Sequence, residues 1–316
     1  DIAEIKEKSI DVRVSIILGG YGETAVLRFL SKTTQELNLE KLGIRKQNLE
    51  KIHKQISKPN GIFLTTGPTG AGKTTTLYSI LNILNKPEVK IITVEDPIEY
   101  QIEGILQTPV NEKDGYTFAS ALRSLLRQNP DIMMIGEIRD DETAQIAVQA
   151  ALTGHLVITT IHTNNAAGSV QRLLNMGVSP SDIASGVNAF MAQRLVRKLC
   201  ICKKRSVPDG IEKEKMENIL KTISPKAGLE IPKISSIYKP LGCQACNNIG
   251  YKGRTTISEV LIVDRDIQDL INHAAITSEI NEKAVENGMI TLEQDGILKV
   301  IEGDTSLEEI ERVSNI

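Results

Sequence analysis

The chain has 316 residues, of which 41% are hydrophobic and 24% charged. That is ample for a packed core in one large domain or two to three small ones, and no apolar run approaches the roughly 18 residues that a membrane-spanning helix needs. The net charge of −3 argues against nucleic acid as the main partner, because binding a phosphate backbone needs a basic face.

Residue 1 is Asp, with no basic start followed by an apolar stretch, so no signal peptide is expected. The missing Met suggests further domains upstream. Val12, Val14 and Ile16 alternate with Arg13 and Ser15, and Ala25, Leu27 and Phe29 resume the alternation after Gly19-Gly20-Tyr21-Gly22. This period of two around turn residues predicts a β-hairpin over 11–30. A hairpin is not stable alone, so it reads as the remnant of a larger sheet. Residues 31–45 are polar with little pattern and read as a linker. Leu49, Ile52 and Ile56 fall at helical spacing before the stop Pro59-Asn60-Gly61.

From 61 to about 199, apolar runs at Ile62–Leu64, Ile91–Val94, Ile132–Ile135 and Leu156–Ile161 alternate with helical stretches such as Phe118–Arg127 and Asp141–Leu152. Such alternation predicts an α/β domain with a mostly parallel sheet. Between the first run and a helix lies "GPTGAGKT", which matches G-x-x-x-x-G-K-[ST] at every fixed position. Glycines let the backbone curl its N–H groups toward an anion, and the following helix adds the positive end of its dipole. Lys73 can reach the β- and γ-phosphates, and the Thr74 hydroxyl can sit on Mg²⁺. Gly67, Pro68, Thr69, Gly70, Ala71, Gly72, Lys73, Thr74 and Thr75 are the candidate nucleotide-binding residues.

Downstream, the strand at Ile91–Val94 ends in Glu95-Asp96-Pro97-Ile98-Glu99. Three carboxylates so close are costly to place together unless a cation or catalysis uses them; alone they would read as a solvated loop. Asp131–Glu137 is an apolar strand ending in an acid, where nucleotide hydrolases of this class hold a Mg²⁺-side carboxylate. His155 precedes the strand Leu156–Ile161 and His162 ends it. His162 is the better placed, because ligands bind at the carboxyl ends of parallel strands.

The four cysteines form two pairs, Cys200 with Cys202 and Cys243 with Cys246. Without a secretion signal they read as metal ligands rather than disulfides, and two thiolate pairs suit tetrahedral Zn²⁺. The alternative is four reduced thiols without a metal. Residues 200–256 otherwise look irregular and 264–316 helical. The apolar face of Leu292, Ile297, Val300 and Ile301 reads as packing.

Together these segments resemble the secretion ATPase superfamily, the ring motors of type II secretion and type IV pilus assembly. The resemblance runs from about residue 11 to the C-terminus. It rests on four motifs in the family's order: the phosphate loop, "ITVEDPIEY" (Ile92–Tyr100), "DIMMIGEIRD" (Asp131–Asp140) and "TGHLVITTIHT" (Thr153–Thr163). "GYKGRTTISEVL" (Gly250–Leu261) and Glu286–Val313 also match the family's C-terminal segment.

The resemblance implies a RecA-like P-loop ATPase core at 46–199, preceded by the end of a second N-terminal domain (1–31) and a linker (32–45). A cysteine (zinc) subdomain at 200–256 and a helical C-terminal subdomain at 257–316 would follow. It implies ATP and Mg²⁺ as ligands, with Glu99 activating the attacking water, Glu137 and Thr74 on the Mg²⁺ side, and His162 on the γ-phosphate. Arg13 and Arg28 match arginines that reach the nucleotide from the preceding domain; Arg123 and Arg127 match others within the ATPase domain. Arginine suits this role because a fixed cation spreads the charge of phosphoryl transfer.

Structural zinc on Cys200, Cys202, Cys243 and Cys246 marks the branch for pilus extension and secretion, although the first pair is C-x-C where that branch has C-x-x-C. Further implications are a homohexamer, cytoplasmic and peripheral at the inner membrane, working with a membrane platform protein and a cytoplasmic-side membrane adaptor. The rival is a DNA-translocating or DNA-uptake ATPase of similar core. It needs a basic channel, for which Lys203-Lys204-Arg205 is weak support, so no nucleic acid is expected.

Overall fold

The alternating segments near the N-terminus form an antiparallel hairpin of β1 (Ile10–Gly19) and β2 (Gly22–Ser31). The computed structural model describes residues 10–31 and 38–314, with the backbone alone at 10, 11, 13 and 28–31. Arg13 therefore pairs with Arg28 across the hairpin, but both side chains lie outside the described residues.

The described part of the expected linker belongs to the core. Asn38 accepts the N–H groups of Glu40 (2.8 Å) and Lys41 (3.2 Å) and caps a short 3-10 turn. Leu39 and Ile44 are buried there. Scattered apolar side chains in a polar stretch leave no periodicity to read. Then α1 (Lys46–Ile56) buries Ile52 and Ile56, as their spacing predicts.

The α/β core follows in alternation: β3 (Gly61–Thr66), α2 (Lys73–Leu84), β4 (Ile91–Glu95), β5 (Leu106–Pro109), α3 (Phe118–Leu126), β6 (Ile132–Ile135), α4 (Asp141–Leu152), β7 (Leu156–Ile161), α5 (Ala166–Asn175), α6 (Pro180–Gly186) and β8 (Val187–Leu199). Every residue of β3, β4, β6 and β7 is buried, as expected of strands covered by helices on both faces. Then come β9 (Lys204–Ser206), α7 (Gly210–Lys221), β10 (Ile237–Lys239) and β11 (Tyr251–Ile262), followed by α8 (Arg265–Asn272), α9 (Thr277–Glu286), α10 (Leu292–Glu302) and α11 (Leu307–Ser314).

Among the described residues one seven-stranded sheet runs in the order β11-β8-β3-β7-β6-β4-β5. All of its pairs are parallel except β11 with β8. The expected domain boundary between 256 and 257 falls inside β11. After buried Tyr251 that strand is exposed at 252–254 and carries Gly253, so no alternation marks it.

Successive residues of β3 point to opposite faces. Phe63 packs with Ile52, Leu77 and Leu81 on one side. Ile62 and Leu64 share the other side with Leu122, Ala147 and Val170, and also with Ile267, Ile297 and Ile310 of the C-terminal helices. The C-terminal helices thus share one core with α3, α4 and α5.

Buried acids stitch these layers together. Glu259 accepts the N–H groups of Ala166 (2.7 Å) and Leu292 (3.1 Å), at the starts of α5 and α10. Asp295 accepts the N–H of Ser258 (2.9 Å) and Nε of Arg45 (2.8 Å). Glu309, with its side chain 0% exposed, holds α11 to β8 by accepting the N–H (2.9 Å) and Nε (2.9 Å) of Arg197 and both Nε and Nη2 of Arg312. Burial alone would raise the Glu309 carboxyl, but the Arg312 and Arg197 hydrogen bonds outweigh it and hold it at about 2.

A carboxyl depressed on folding contributes stability above its unfolded pKa, and that stability is lost as pH falls through the folded value. Wild-type stability should therefore fall between about pH 4.5 and 2 more steeply than that of Glu309→Gln. At pH 7 the substitution should cost on the order of 2 kcal/mol, discounted for the exposed arginine heads. Denaturant unfolding across pH would contradict this by giving parallel curves.

Candidate functional site

The parallel strands place their carboxyl ends along one edge, where ligands bind in open α/β sheets. There β3 runs into the loop Gly67–Gly72 and then α2. Gly67 adopts φ +147°, and a Cβ on it would lie 2.5 Å from the Gln193 carbonyl of neighbouring β8. Only glycine lets the loop pass so close. Lys73 Nζ donates back to the carbonyls of Gly67 (2.7 Å) and Pro68 (3.2 Å).

Gln193 is fully buried behind the loop. Its Nε2 donates to the Ala71 carbonyl (2.7 Å) and its Oε1 accepts from the Thr76 hydroxyl (2.9 Å). Thr66, at the end of β3, donates its hydroxyl to the Ile161 carbonyl (3.0 Å) and accepts the Thr163 N–H (2.8 Å). The phosphate loop is thus held from β8, and the strand end that leads into it is tied to the histidine box.

A cleft of about 670 Å³ opens over the loop, within the range of small-ligand sites. Residues 69–75, Glu99, Glu137 and His162 line it. Glu137 follows β6 in a turn held to β7, where the Thr160 hydroxyl donates to the Gly136 carbonyl (2.8 Å) and Ile138 N–H to the Thr160 carbonyl (2.8 Å). One oxygen of Glu137 accepts from Arg139 and the other from His162 Nε2 (3.1 Å). Burial would raise the Glu137 carboxyl, but Arg139 and His162 hold it below the usual range. Arg139 also donates to Asp96 (3.1 Å) and lies over the Phe118 ring.

The three acids of residues 95–99 separate by role. Glu95 is buried and accepts from the hydroxyls of Tyr78 and Thr93 and from Gln107 Nε2 (3.0 Å). Asp96 pairs with Arg139; all three acids line the cleft, and among the described residues Glu99 is the one left without such partners in the core or on Arg139. His155 lies at the opposite sheet edge, where its Nδ1 donates to the Ala150 carbonyl (3.0 Å).

The cysteines form a second centre. Their four sulfurs lie within 4.8 Å of one another. Cys200 is 3.8 Å from Cys243, Cys202 is 3.9 Å from Cys246, and Cys243 is 3.8 Å from Cys246. Four thiolates at about 2.3 Å from a tetrahedral Zn²⁺ stand about 3.8 Å apart, and these three separations fit that geometry. The Cys246 sulfur accepts the N–H groups of Cys243 (3.2 Å) and Gly250 (3.3 Å). Burial would raise this thiol, yet those N–H groups bring it down to about 6.

A sequence model of the type II/IV secretion system protein family matches residues 2–312. The chain belongs to this family. It is 46% identical to type II secretion system protein E of Aeromonas hydrophila over 307 residues, covering 97% of this chain and 59% of that protein. It is 44% identical to the type IV pilus assembly ATPase PilB of Myxococcus xanthus over 306 residues, covering 96% of this chain and 52% of that protein. It therefore spans little more than half the length of these relatives. The crystal structure of the pilus retraction motor PilT with bound ADP superposes with a TM-score of 0.67 at 27% identity, covering 96% of this chain and 74% of that one.

Within this family member, Lys73, Thr74, Glu99, Glu137 and His162 meet at one cleft. Arg123 and Arg127 do not line it; Arg123 pairs with Glu142 and Arg127 donates to the Ser124 hydroxyl (3.3 Å). Sequence reasoning missed Arg139, Gln193 and Arg254, the last of which lines the cleft from β11. Arg139 stands two residues beyond Glu137, a spacing that was the available signal. Removing the Gln193 amide strands a buried carbonyl and a buried hydroxyl. Gln193→Leu should therefore lower unfolding stability by about 1–3 kcal/mol; an unchanged denaturation midpoint would show that the loop does not depend on it.

Proposed function

We infer that this chain is the ATP-hydrolysing part of a motor for type II secretion or type IV pilus assembly. The observation that carries the reading is the Gly67–Thr74 loop at the carboxyl edge of a parallel sheet, with Glu99 and the Arg139–Glu137–His162 cluster lining the same cleft. The relatives' names, protein E of type II secretion and the pilus assembly ATPase PilB, support it.

In this reading Lys73 exchanges its loop carbonyls for the β- and γ-phosphates. Thr74 and Glu137 would hold Mg²⁺, since both are hard oxygen donors and Glu137 is kept ionised by its partners. The ion, when bound, neutralises charge on the β- and γ-oxygens. Glu99 orients and activates the attacking water, and His162 contacts the γ-phosphate. Arg13 and Arg28 reach the nucleotide from the hairpin, while Arg123 and Arg127, which line no part of this cleft, serve a neighbouring copy.

The working form is a ring, a homohexamer built from contacts that close by rotation. It would sit on the cytoplasmic side of the inner membrane, against a platform protein and an adaptor. No helix among the described residues is long and apolar enough to cross a membrane. The four cysteines hold structural Zn²⁺, because four thiolates leave no open position for catalysis.

Lys73→Ala should lose both ATP binding and hydrolysis. Glu99→Gln should keep ATP bound and slow hydrolysis by roughly 10²–10⁴-fold; single-turnover kinetics at the wild-type rate would move the water-activating role elsewhere. Elemental analysis should find about one zinc per chain, lost in Cys246→Ser. Metal-free protein with four freely titrating thiols would refute the centre.

A further inference from the structure

Glu95 ends β4 with its side chain in the core, 3% exposed. A carboxylate withdrawn from water is unfavourable unless donors surround it, and an apolar side chain of similar size would serve packing alone as well or better. What the acid holds is therefore informative. It accepts from the hydroxyls of Tyr78 and Thr93 and from Gln107 Nε2 (3.0 Å), and two of these three donors reach onward to the segment that carries Glu99.

The Tyr78 oxygen, having donated its proton to Glu95, accepts the N–H of Glu99 (3.4 Å). Gln107 Nε2 also donates to the Tyr100 carbonyl (3.2 Å), and its Oε1 accepts the Ile102 N–H (2.7 Å). The Tyr78 ring meets the Tyr100 ring edge-on, with centroids 4.5 Å apart. Burial and the Glu95 hydrogen bond raise the Tyr78 hydroxyl pKa, so it stays protonated and keeps donating. Between β4 and β5 the chain forms neither helix nor strand, so side-chain bonds of this kind set where it runs. Its backbone is held at residues 99, 100 and 102 by two side chains that share one buried carboxylate. Tyr78 also lies on α2, the helix that Lys73 and Thr74 open. The element that presents the phosphate-loop lysine thus carries the hydroxyl that meets the Glu99 backbone.

We propose that Glu95, acting through Tyr78 and Gln107, positions Glu99 in the cleft, so that these three are positioning residues for the hydrolytic step. This rests on the reading of Glu99 as the residue that activates water. A group that acts through Glu99 differs from one that merely stabilises the fold, because its effect must vanish when the Glu99 carboxylate is gone.

The test is a double-mutant cycle read by single-turnover ATP hydrolysis with Mg²⁺, together with ATP affinity. Tyr78→Phe keeps the ring and its edge contact and removes the hydroxyl. It should slow hydrolysis at least about tenfold, since a small misplacement of a catalytic group is costly, while ATP affinity stays within about twofold. In a Glu99→Gln background the same substitution should change the rate by less than about twofold. Should Tyr78→Phe fail to fold, Gln107→Met, which frees the Tyr100 carbonyl and the Ile102 N–H, must show the same dependence on Glu99. Equal slowing in both backgrounds, a loss confined to ATP affinity, or a wild-type rate for Tyr78→Phe while Glu99→Gln is slow would overturn the proposal and leave the reading of Glu99 standing. Glu99→Gln turning over at the wild-type rate would remove that reading and the proposal with it.

Discussion

The site depends on one constraint: β3, β7, β6 and β4 are parallel and in register, so their carboxyl ends meet at one sheet edge. A strand that ends there leaves backbone and side-chain polar groups to be satisfied by its neighbours. Thr66 does this between β3 and β7, Thr160 between β7 and the turn after β6, and Gln193 between β8 and the phosphate loop. Each bond ties a residue of a strand to the neighbouring strand, or to the loop that leaves it. Lys73, Glu137 and His162 therefore reach one cleft although they are far apart in sequence.

Charge is distributed unevenly around that cleft. Glu95 is withdrawn into the core by Tyr78, Thr93 and Gln107, and burial and the Glu95 hydrogen bond raise the Tyr78 hydroxyl. Asp96 and Glu137 share Arg139. Against them stand Lys73 and Arg254, which line the cleft on the side of the phosphate loop and β11. Such a split, cations at the loop and carboxylates opposite, suits a polyanion held together with a divalent cation. Phosphoryl transfer is catalysed largely by such positioned charge.

Much of this was legible in the sequence. The phosphate loop, Glu137 and His162 carry local signatures, and β3, β4, β6 and β7 read as apolar runs because both faces are buried. The two cysteine pairs told of a cluster whose sulfur spacing suits a metal. What stayed hidden depends on long-range packing. β8 mixes Gln193, Arg194 and Arg197 with apolar residues because Gln193 holds the phosphate loop, Arg194 the Asn164 carbonyl and Arg197 the buried Glu309. β11 is exposed at 252–254 and pairs antiparallel with β8, so the sheet crosses the boundary expected at 256. Leu39 and Ile44 join the core from a stretch without periodicity. The three acids at 95–99 looked equivalent, and only burial tells Glu95 from Glu99.

The central proposal is that the cleft hydrolyses ATP and that its site is completed by a neighbouring chain. Mg²⁺-dependent ATP hydrolysis per chain, followed as protein concentration rises, tests it most directly. The account predicts specific activity that climbs with concentration and levels off once the ring is assembled. Substantial activity that is flat at every concentration would mean each chain is self-sufficient and would contradict it.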